Sequence, residues 1–188
     1  YGYSTARVAI GGTSSGAHLA ALVGTTNGHS VLEGTVGDHL DQSSDVEAIL
    51  SYYGASNLTT ILAQSTPQGL DVRVPALGAL LGALPDRVPE LAQLASPVTH
   101  VSQSAPPLLL LHGDRDPQMP VDQSYELEAA YTSRGLDVHF DLLRGAVHGG
   151  ESDFFSEERN AQAIAFLRRT LGQEMQFSKC SSVDAVVD

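Results

Sequence analysis

Short, continuous apolar runs alternate along the chain with longer stretches in which apolar residues lie three or four positions apart. Continuous runs are typical of buried strands, and the wider spacing is typical of one face of a helix. This pattern predicts strands at residues 7–12, 46–53, 108–111 and 136–142, and helices at residues 15–27, 122–134 and 157–171. Alternating strands and helices predict an α/β fold, with a mostly parallel sheet and helices on both faces.

Two regions differ from the continuous apolar runs and the helical spacing seen in the rest of the chain. Residues 136–142 alternate strictly between apolar and polar, which predicts a strand near a sheet edge with one wetter face. Residues 58–97 are rich in Leu, Ala, Gly and Pro, and we expect one or two short helices laid over the sheet there. The sequence contains no internal repeat, and the residues after Met175 are expected to form a disordered tail.

Composition and charge narrow the function classes. A chain of 188 residues with 42% hydrophobic residues suits one globular domain. Its net charge of -12 repels phosphate backbones and favours solubility, so we expect no nucleic-acid partner. No apolar run approaches the roughly 20 residues that span a bilayer, and no signal peptide is visible. Cys180 is the single cysteine, so cysteine usage does not indicate a cellular compartment. Cys and His residues do not occur at metal-ligand spacing, so we predict no metal, and we predict no cofactor.

The strongest local motif is Gly12-Thr13-Ser14-Ser15-Gly16, a GxSxG pattern. The pattern alone is weak, but here it lies between an apolar strand and a helix, which is the setting of a nucleophile elbow. We expect Gly12 and Gly16 to remove Cβ atoms that would clash in this tight turn, and Ser14 to expose its hydroxyl at the strand end. The alternative is an ordinary glycine turn or a phosphate-binding loop, although neither GxGxxG nor a Walker lysine is present.

A serine nucleophile needs a base and an orienting acid, which in this motif class follow in the order acid, then histidine. Of the seven histidines, His148 alone lies in a loop directly after a predicted strand and late in the chain, while His112 is expected to support the acid loop. His18 is expected to pack or face solvent, and the others are expected in surface or loop positions: His29, His39, His100 and His139. The residues leave the acid open among four carboxylates: Asp114, Asp116, Asp141 and Asp153.

Four segments resemble the α/β-hydrolase esterases, in particular the BD-FAE and hormone-sensitive-lipase-like carboxylesterases. They are GTSSGAHLAALVGT, LDQSSDVEAILSYYG, ASPVTHVSQSAPPLLLLHGDRDPQMPVDQS and GAVHGG, in the family's order. The resemblance implies Ser14 as nucleophile, His148 as general base and acid, and Asp116 as orienting acid. It also implies the backbone N–H of Ser15 as an oxyanion donor.

The resemblance covers residues 7–171 and departs from the family pattern at several positions. Thr13, Ser15 and Ala17 replace more usual residues around the motif. The family also has further strands, and a loop that is often HGGG, before the nucleophile strand. We therefore expect residues 1–175 to be the C-terminal catalytic core of an α/β-hydrolase and 176–188 to be a tail. We also expect the nucleophile strand to be covered, either by a second chain or by another copy in a homo-oligomer.

These observations give three functional hypotheses. The first is a serine esterase that hydrolyses short-chain carboxylic esters, with acetylated sugars or feruloyl esters as further candidates by resemblance. The second is a catalytically weak fragment that acts as an assembly module and needs a partner chain. The third is a hydrolase that uses the same three residues but cleaves another kind of bond, as a peptidase or an arylformamidase does.

Overall fold

The computed structural model describes residues 7–172, which contain one four-stranded sheet. The strands are β1 (Ala9–Thr13), β2 (Ala48–Tyr52), β3 (Leu108–Gly113) and β4 (Val138–Leu143). All neighbours pair in parallel in the order β1-β2-β3-β4, which confirms the α/β class. The carboxyl ends of all four strands therefore meet at one edge of the sheet, where α/β folds place their sites.

Helices connect the strands and follow the last one. They are α1 (Ser15–Thr25), α2 (Ser30–Glu33), α3 (Ile61–Gln64), α4 (Pro67–Leu81), α5 (Pro89–Leu94), α6 (Pro97–His100), α7 (Asp122–Thr132), α8 (Glu151–Phe154) and α9 (Glu157–Leu171). The predicted helix at 157–171 matches α9, whereas α1 and α7 each end two residues earlier than predicted. In α7 the helix stops at Thr132, and Gly135, with φ 67°, carries the turn toward β4.

Both faces of the sheet are covered by helices. On one face, Leu50, Leu109 and Leu111 pack with Phe154 and with Phe166 of α9. On the other face, the alternate strand residues pack against α1, α6 and α7: Ile49, Leu108 and Leu110 with Ala21, Val101, Leu127 and Tyr131. Strand side chains point to opposite faces in turn, so the all-leucine run of β3 fills both layers at once.

The two outer strands differ from the inner pair in burial. β4 is mostly half-buried, as its alternating pattern predicted for an edge. β1 lies at the edge of the described sheet, with β2 as its neighbour. Ala9 packs on one face of the sheet and Ile10 on the other, whereas Gly11 and Thr13 are exposed and Val8, just before the strand, is 47% exposed.

The segment at 58–97 also departs from expectation. It holds three helices, α3 to α5, rather than one or two, and α4 runs for 15 residues through Pro75. Thr66 caps α4 by accepting a hydrogen bond from the Gly69 N–H at 3.0 Å, and Pro67 follows as the first helical residue.

These helices pack on one another rather than over a face of the sheet. Their buried residues cluster with Ala55 and Met119, which follow β2 and β3. The segment therefore builds a wall beside the carboxyl edge of the sheet. The predicted tail at 176–188 lies outside the described residues, and the domain limits stay a prediction.

Candidate active site

Ser14 occupies the sharp turn between β1 and α1. Its backbone has φ 51° and ψ -117°, a conformation that side-chain-bearing residues rarely adopt. The turn is held because the Ser14 N–H donates to Tyr52 O at 2.9 Å and the Ser14 carbonyl accepts from the His18 N–H at 3.1 Å. Ser14 precedes α1 but does not use its side chain as a cap, so its hydroxyl is available for another partner.

The two glycines of the motif play different steric parts. A Cβ on Gly12 would overlap the carbonyl group of Gly16 and lie 2.8 Å from the Ala17 nitrogen, so Gly12 is required for the close approach. The same expectation is wrong for Gly16, because among the described residues no atom outside its own helix and its chain neighbours lies within 4 Å of the position that its Cβ would take. The elbow needs the backbone of Gly16 nearby but does not need Gly16 to lack a side chain.

His148 joins Ser14 to Asp116. Its Nε2 lies 3.0 Å from Ser14 Oγ, and its Nδ1 lies 2.6 Å from Asp116 Oδ2. Because a carboxylate only accepts hydrogen bonds, Nδ1 carries the proton, and Nε2 is left to accept from the serine hydroxyl. Residues separated by 134 positions in the sequence thus form one continuous hydrogen-bonded line.

The side chain of Asp116 is fully buried and is bonded through both oxygens. Its Oδ1 accepts from the N–H groups of Gln118 and Met119, each at 2.8 Å. Burial by itself would raise the pKa of Asp116, but hydrogen bonds from His112, His148 and Met119 outweigh it and hold the pKa well below its usual range. The carboxylate therefore stays ionised beside His148.

His112 supports this loop, as the sequence predicted. It is completely buried, with Nε2 3.1 Å from Met119 O and 3.4 Å from Asp116 Oδ2, while Nδ1 lies 2.7 Å from Ser124 Oγ. Since the Met119 carbonyl only accepts, Nε2 carries the proton and Nδ1 accepts from the Ser124 hydroxyl. This histidine fixes the backbone that presents Asp116.

The other three candidate acids form no hydrogen bond with His148 among the described residues. Asp114 accepts from the Gly145 N–H at 2.7 Å and pairs with Arg144 at 3.1 Å. Asp141 pairs with Arg159. The Asp153 carboxylate lies beside Gly150. Of the four carboxylates that the residues left open, Asp116 is the one that the structure places against His148.

The remaining histidines are placed largely as expected. His18 packs, being 7% exposed, with Nδ1 3.2 Å from Ala55 O, and His39 and His139 are exposed. His29 and His100 are half-buried and meet edge to face at 5.4 Å between ring centroids, with His100 at the end of α6 rather than in a loop. Among the described residues, none of these five imidazole rings forms a hydrogen bond with Ser14 or Asp116.

Tyr53 is a site residue that the sequence reasoning missed. It directly follows β2 and adopts φ 46°, which a non-glycine residue holds only when its surroundings compensate. Its ring meets that of His148 at 4.8 Å and that of Phe154 at 4.5 Å, so it forms the wall behind the imidazole. Its position at the carboxyl end of a predicted strand was the available signal.

A cavity of about 230 Å³ adjoins the elbow, lined by Ser15 and His18 of α1 and by α4. Arg73 is its charged lining residue, and the remaining walls are apolar, formed by Leu19, Ala55, Leu58, Ile61, Ala76, Leu77, Leu80 and Met119. Ser15 is the first residue of α1, so its N–H belongs to the turn that has no acceptor within the helix and carries the positive end of the helix dipole.

Residues 7–172 contain no group of three or more His, Cys, Asp or Glu side chains placed to hold a metal ion. No helix in the same range is long and apolar enough to cross a membrane.

The family model of BD-FAE matches residues 1–131, a range that contains Ser14 and Asp116 and ends before His148. The chain belongs to the BD-FAE family. Esterase LipC of Mycobacterium tuberculosis is 32% identical over 175 residues, covering 92% of this chain and 42% of LipC. The chain therefore spans less than half the length of this curated relative.

Two solved structures extend the likeness. A truncated carbohydrate esterase from gut microbiota superimposes with a TM-score of 0.81 at 26% identity, covering 92% of this chain and 62% of its own. A puromycin-hydrolyzing peptidase of Mycobacterium tuberculosis superimposes with a TM-score of 0.68 at 27% identity, covering 91% of this chain and 23% of the peptidase. The same arrangement of strands and helices therefore occurs in proteins named for ester and for amide substrates.

Proposed function

We propose that this chain is the catalytic part of a serine esterase that hydrolyses carboxylic esters through an acyl-enzyme. One observation carries the proposal: Ser14, His148 and Asp116 form an unbroken hydrogen-bonded line of 3.0 Å and 2.6 Å at the carboxyl edge of a parallel sheet. The esterase names of its relatives agree with this chemistry.

In the first half-reaction, Ser14 Oγ attacks the ester carbonyl while His148 Nε2 takes its proton. The ionised Asp116 holds the imidazole in the reactive tautomer and stabilises the imidazolium, which then protonates the leaving alcohol. In the second half-reaction, the same imidazole takes a proton from water as the water attacks the acyl-enzyme. The bond between the acyl carbon and Ser14 Oγ then breaks, the imidazolium returns the proton to Oγ, and the free acid is released.

The negative oxygen of the tetrahedral intermediate needs hydrogen-bond donors. We assign one to the Ser15 N–H, which follows the nucleophile and points from the positive end of α1. Loss of a single donor of this kind typically lowers turnover about 10²- to 10³-fold. The cavity beside Ser15 is small and mainly apolar, which favours short acyl chains over long ones.

A second candidate function is amide hydrolysis with the same three residues. The structural likeness to a puromycin-hydrolyzing peptidase favours this over formamide hydrolysis, which shares the mechanism. Parallel assays on p-nitrophenyl butyrate, an aminoacyl p-nitroanilide and N-formylkynurenine show whether the protein hydrolyses ester, amide or formamide bonds. The esterase proposal predicts that the ester has by far the largest kcat/KM.

Hydrolysis of p-nitrophenyl acetate and butyrate tests the proposal, with Ser14→Ala as the active-site variant and Ser104→Ala as the control. Ser104 is an exposed loop serine. We expect Ser14→Ala to lower turnover by about 10⁴-fold or more and Ser104→Ala to leave it unchanged. Equal background rates in all three proteins would instead favour the hypothesis of an inactive assembly module.

We further propose that the outer edge of β1 is covered, either by a second chain or by another copy in a homo-oligomer. Within the described residues β2 is the one strand that pairs with β1, and a free, partly apolar edge is a template for strand pairing. Sedimentation velocity at several concentrations tests the homo-oligomer: a concentration-dependent dimer supports it, and a monomer at all concentrations counts against it.

A further inference from the structure

Arg73 stands out in the cavity beside the elbow. It lies in the middle of α4, and only 9% of the residue is exposed. Its Nε atom is buried without a hydrogen-bond partner, and the guanidinium forms no hydrogen bond or ion pair with any other residue of the described range 7–172. Buried arginines are normally paired, so this one needs an explanation.

The nearest negative charge does not supply the missing partner. Burial lowers the pKa of Arg73, and the Asp116 carboxylate raises it, so the two groups influence each other. However, Asp116 already accepts hydrogen bonds from Gln118, Met119 and His148 through its two oxygens. Arg73 therefore keeps its charge and its donors, since a guanidinium does not lose its proton in proteins.

The cavity is suited to a molecule with an apolar stem and an anionic end. Leu58, Leu77 and Met119 line it together with Arg73, and Ser15 borders it. An acyl chain bound with its carbonyl at Ser15 would pass along these apolar side chains. A carboxylate at its end would accept paired hydrogen bonds from the planar guanidinium, the geometry in which arginine recognises carboxylates best.

We propose that Arg73 binds a carboxylate on the acyl part of the substrate, so that this site prefers half-esters of short dicarboxylic acids over neutral esters of equal length. The inference rests on the proposed esterase function and names its substrate class. It makes Arg73 a specificity-determining residue, since the neutral ester reaches the same Ser14 without that contact.

The test compares monoethyl glutarate with ethyl pentanoate, which share the leaving group and the acyl chain length. Ethanol release gives kcat/KM for each, and the ratio of the two is the measured quantity. We expect the parent protein to favour the half-ester and Arg73→Met to lower the ratio about tenfold to a hundredfold, as loss of a hydrogen bond to a charged group predicts. Arg73→Lys should fall between them, because it keeps the charge but loses the planar fork.

Arg87→Met is the matched control, because Arg87 is exposed and its ion-pair partner is its neighbour Asp86. It should leave the ratio unchanged. An equal ratio in the parent and in Arg73→Met overturns the inference while the esterase proposal stands. Failure of the parent to hydrolyse either ester counts against the esterase proposal instead.

A binding measurement tests the role of Arg73 independently of esterase activity. Free glutarate should raise the melting temperature of the parent protein more than butyrate does, and this difference should vanish in Arg73→Met. Arg73→Met should also melt no lower than the parent without ligand, because burying a charge without a hydrogen-bonded partner costs free energy that an apolar side chain does not. A large drop in melting temperature, with no glutarate effect in the parent, would show that Arg73 has a structural role and overturn the inference.

Discussion

Asp116 Oδ2 lies 2.6 Å from His148 Nδ1, although the two residues follow different strands. The contact forms because β3 and β4 run in parallel, so that the loops after their carboxyl ends meet. Asp114, two residues earlier in the same loop, holds Gly145 and Arg144 instead. The loop after β3 thus provides two carboxylates with different partners. Asp116 accepts from the histidine, and Asp114 holds the neighbouring turn at Gly145.

Asp116→Asn tests whether Asp116, rather than Asp114, is the carboxylate that acts on His148. The amide keeps the shape but presents a donor, which favours the wrong histidine tautomer, so we expect kcat for p-nitrophenyl butyrate to fall about 10³- to 10⁴-fold. Asp114→Asn is the matched control and should retain most of the activity, since Asp114 does not touch His148. Similar losses in both variants would mean that loop structure, rather than the carboxylate at His148, limits turnover.

Gly12→Ala and Gly16→Ala form a second matched pair. A Cβ at position 12 overlaps Gly16, so we expect the free energy of unfolding, measured in urea, to drop by about 1–3 kcal/mol. At position 16 the space is open and the backbone is helical, so alanine should leave stability unchanged or raise it by up to about 1 kcal/mol. Equal destabilisation in both variants would contradict the steric account of the elbow.

The sequence predicted this site better than it predicted the site's walls. α9 was predicted with its observed bounds because its apolar spacing is regular over 15 residues, and β3 was predicted because a continuous run of leucines marks a buried strand. The turn at Ser14 was predicted because strand, turn and helix signals coincide there. Residues 58–97 were mispredicted because Pro75, which usually ends a helix, lies inside α4. Tyr53 and Arg73 were missed because their contacts depend on tertiary packing, which leaves no local pattern.

The buried His18 predicts a pH dependence of stability. Burial lowers its pKa from 6.5, while the hydrogen bond to Ala55 O partly offsets this. Between the lowered pKa and 6.5 the unfolded chain binds a proton that the folded chain does not, so the free energy of unfolding falls as the pH decreases below about 6.5.

His18→Gln should flatten this slope between about pH 5 and pH 6.5, because glutamine donates to Ala55 O without titrating. Urea unfolding of both proteins across this range measures the difference. The range lies above the usual pKa of aspartate, so Asp116 contributes equally to both curves. An unchanged slope in the variant would show that His18 is not the group responsible.

Covalent labelling by a fluorophosphonate probe tests the central claim most directly, because the probe reacts with an activated serine whatever the natural substrate is. The account predicts one adduct per chain, located by mass spectrometry on Ser14, present in Ser104→Ala and absent in Ser14→Ala. Circular dichroism of each variant establishes that it is folded. A folded parent protein that takes up no probe, or an adduct on any other serine, would contradict the assignment of Ser14, His148 and Asp116 as the catalytic residues.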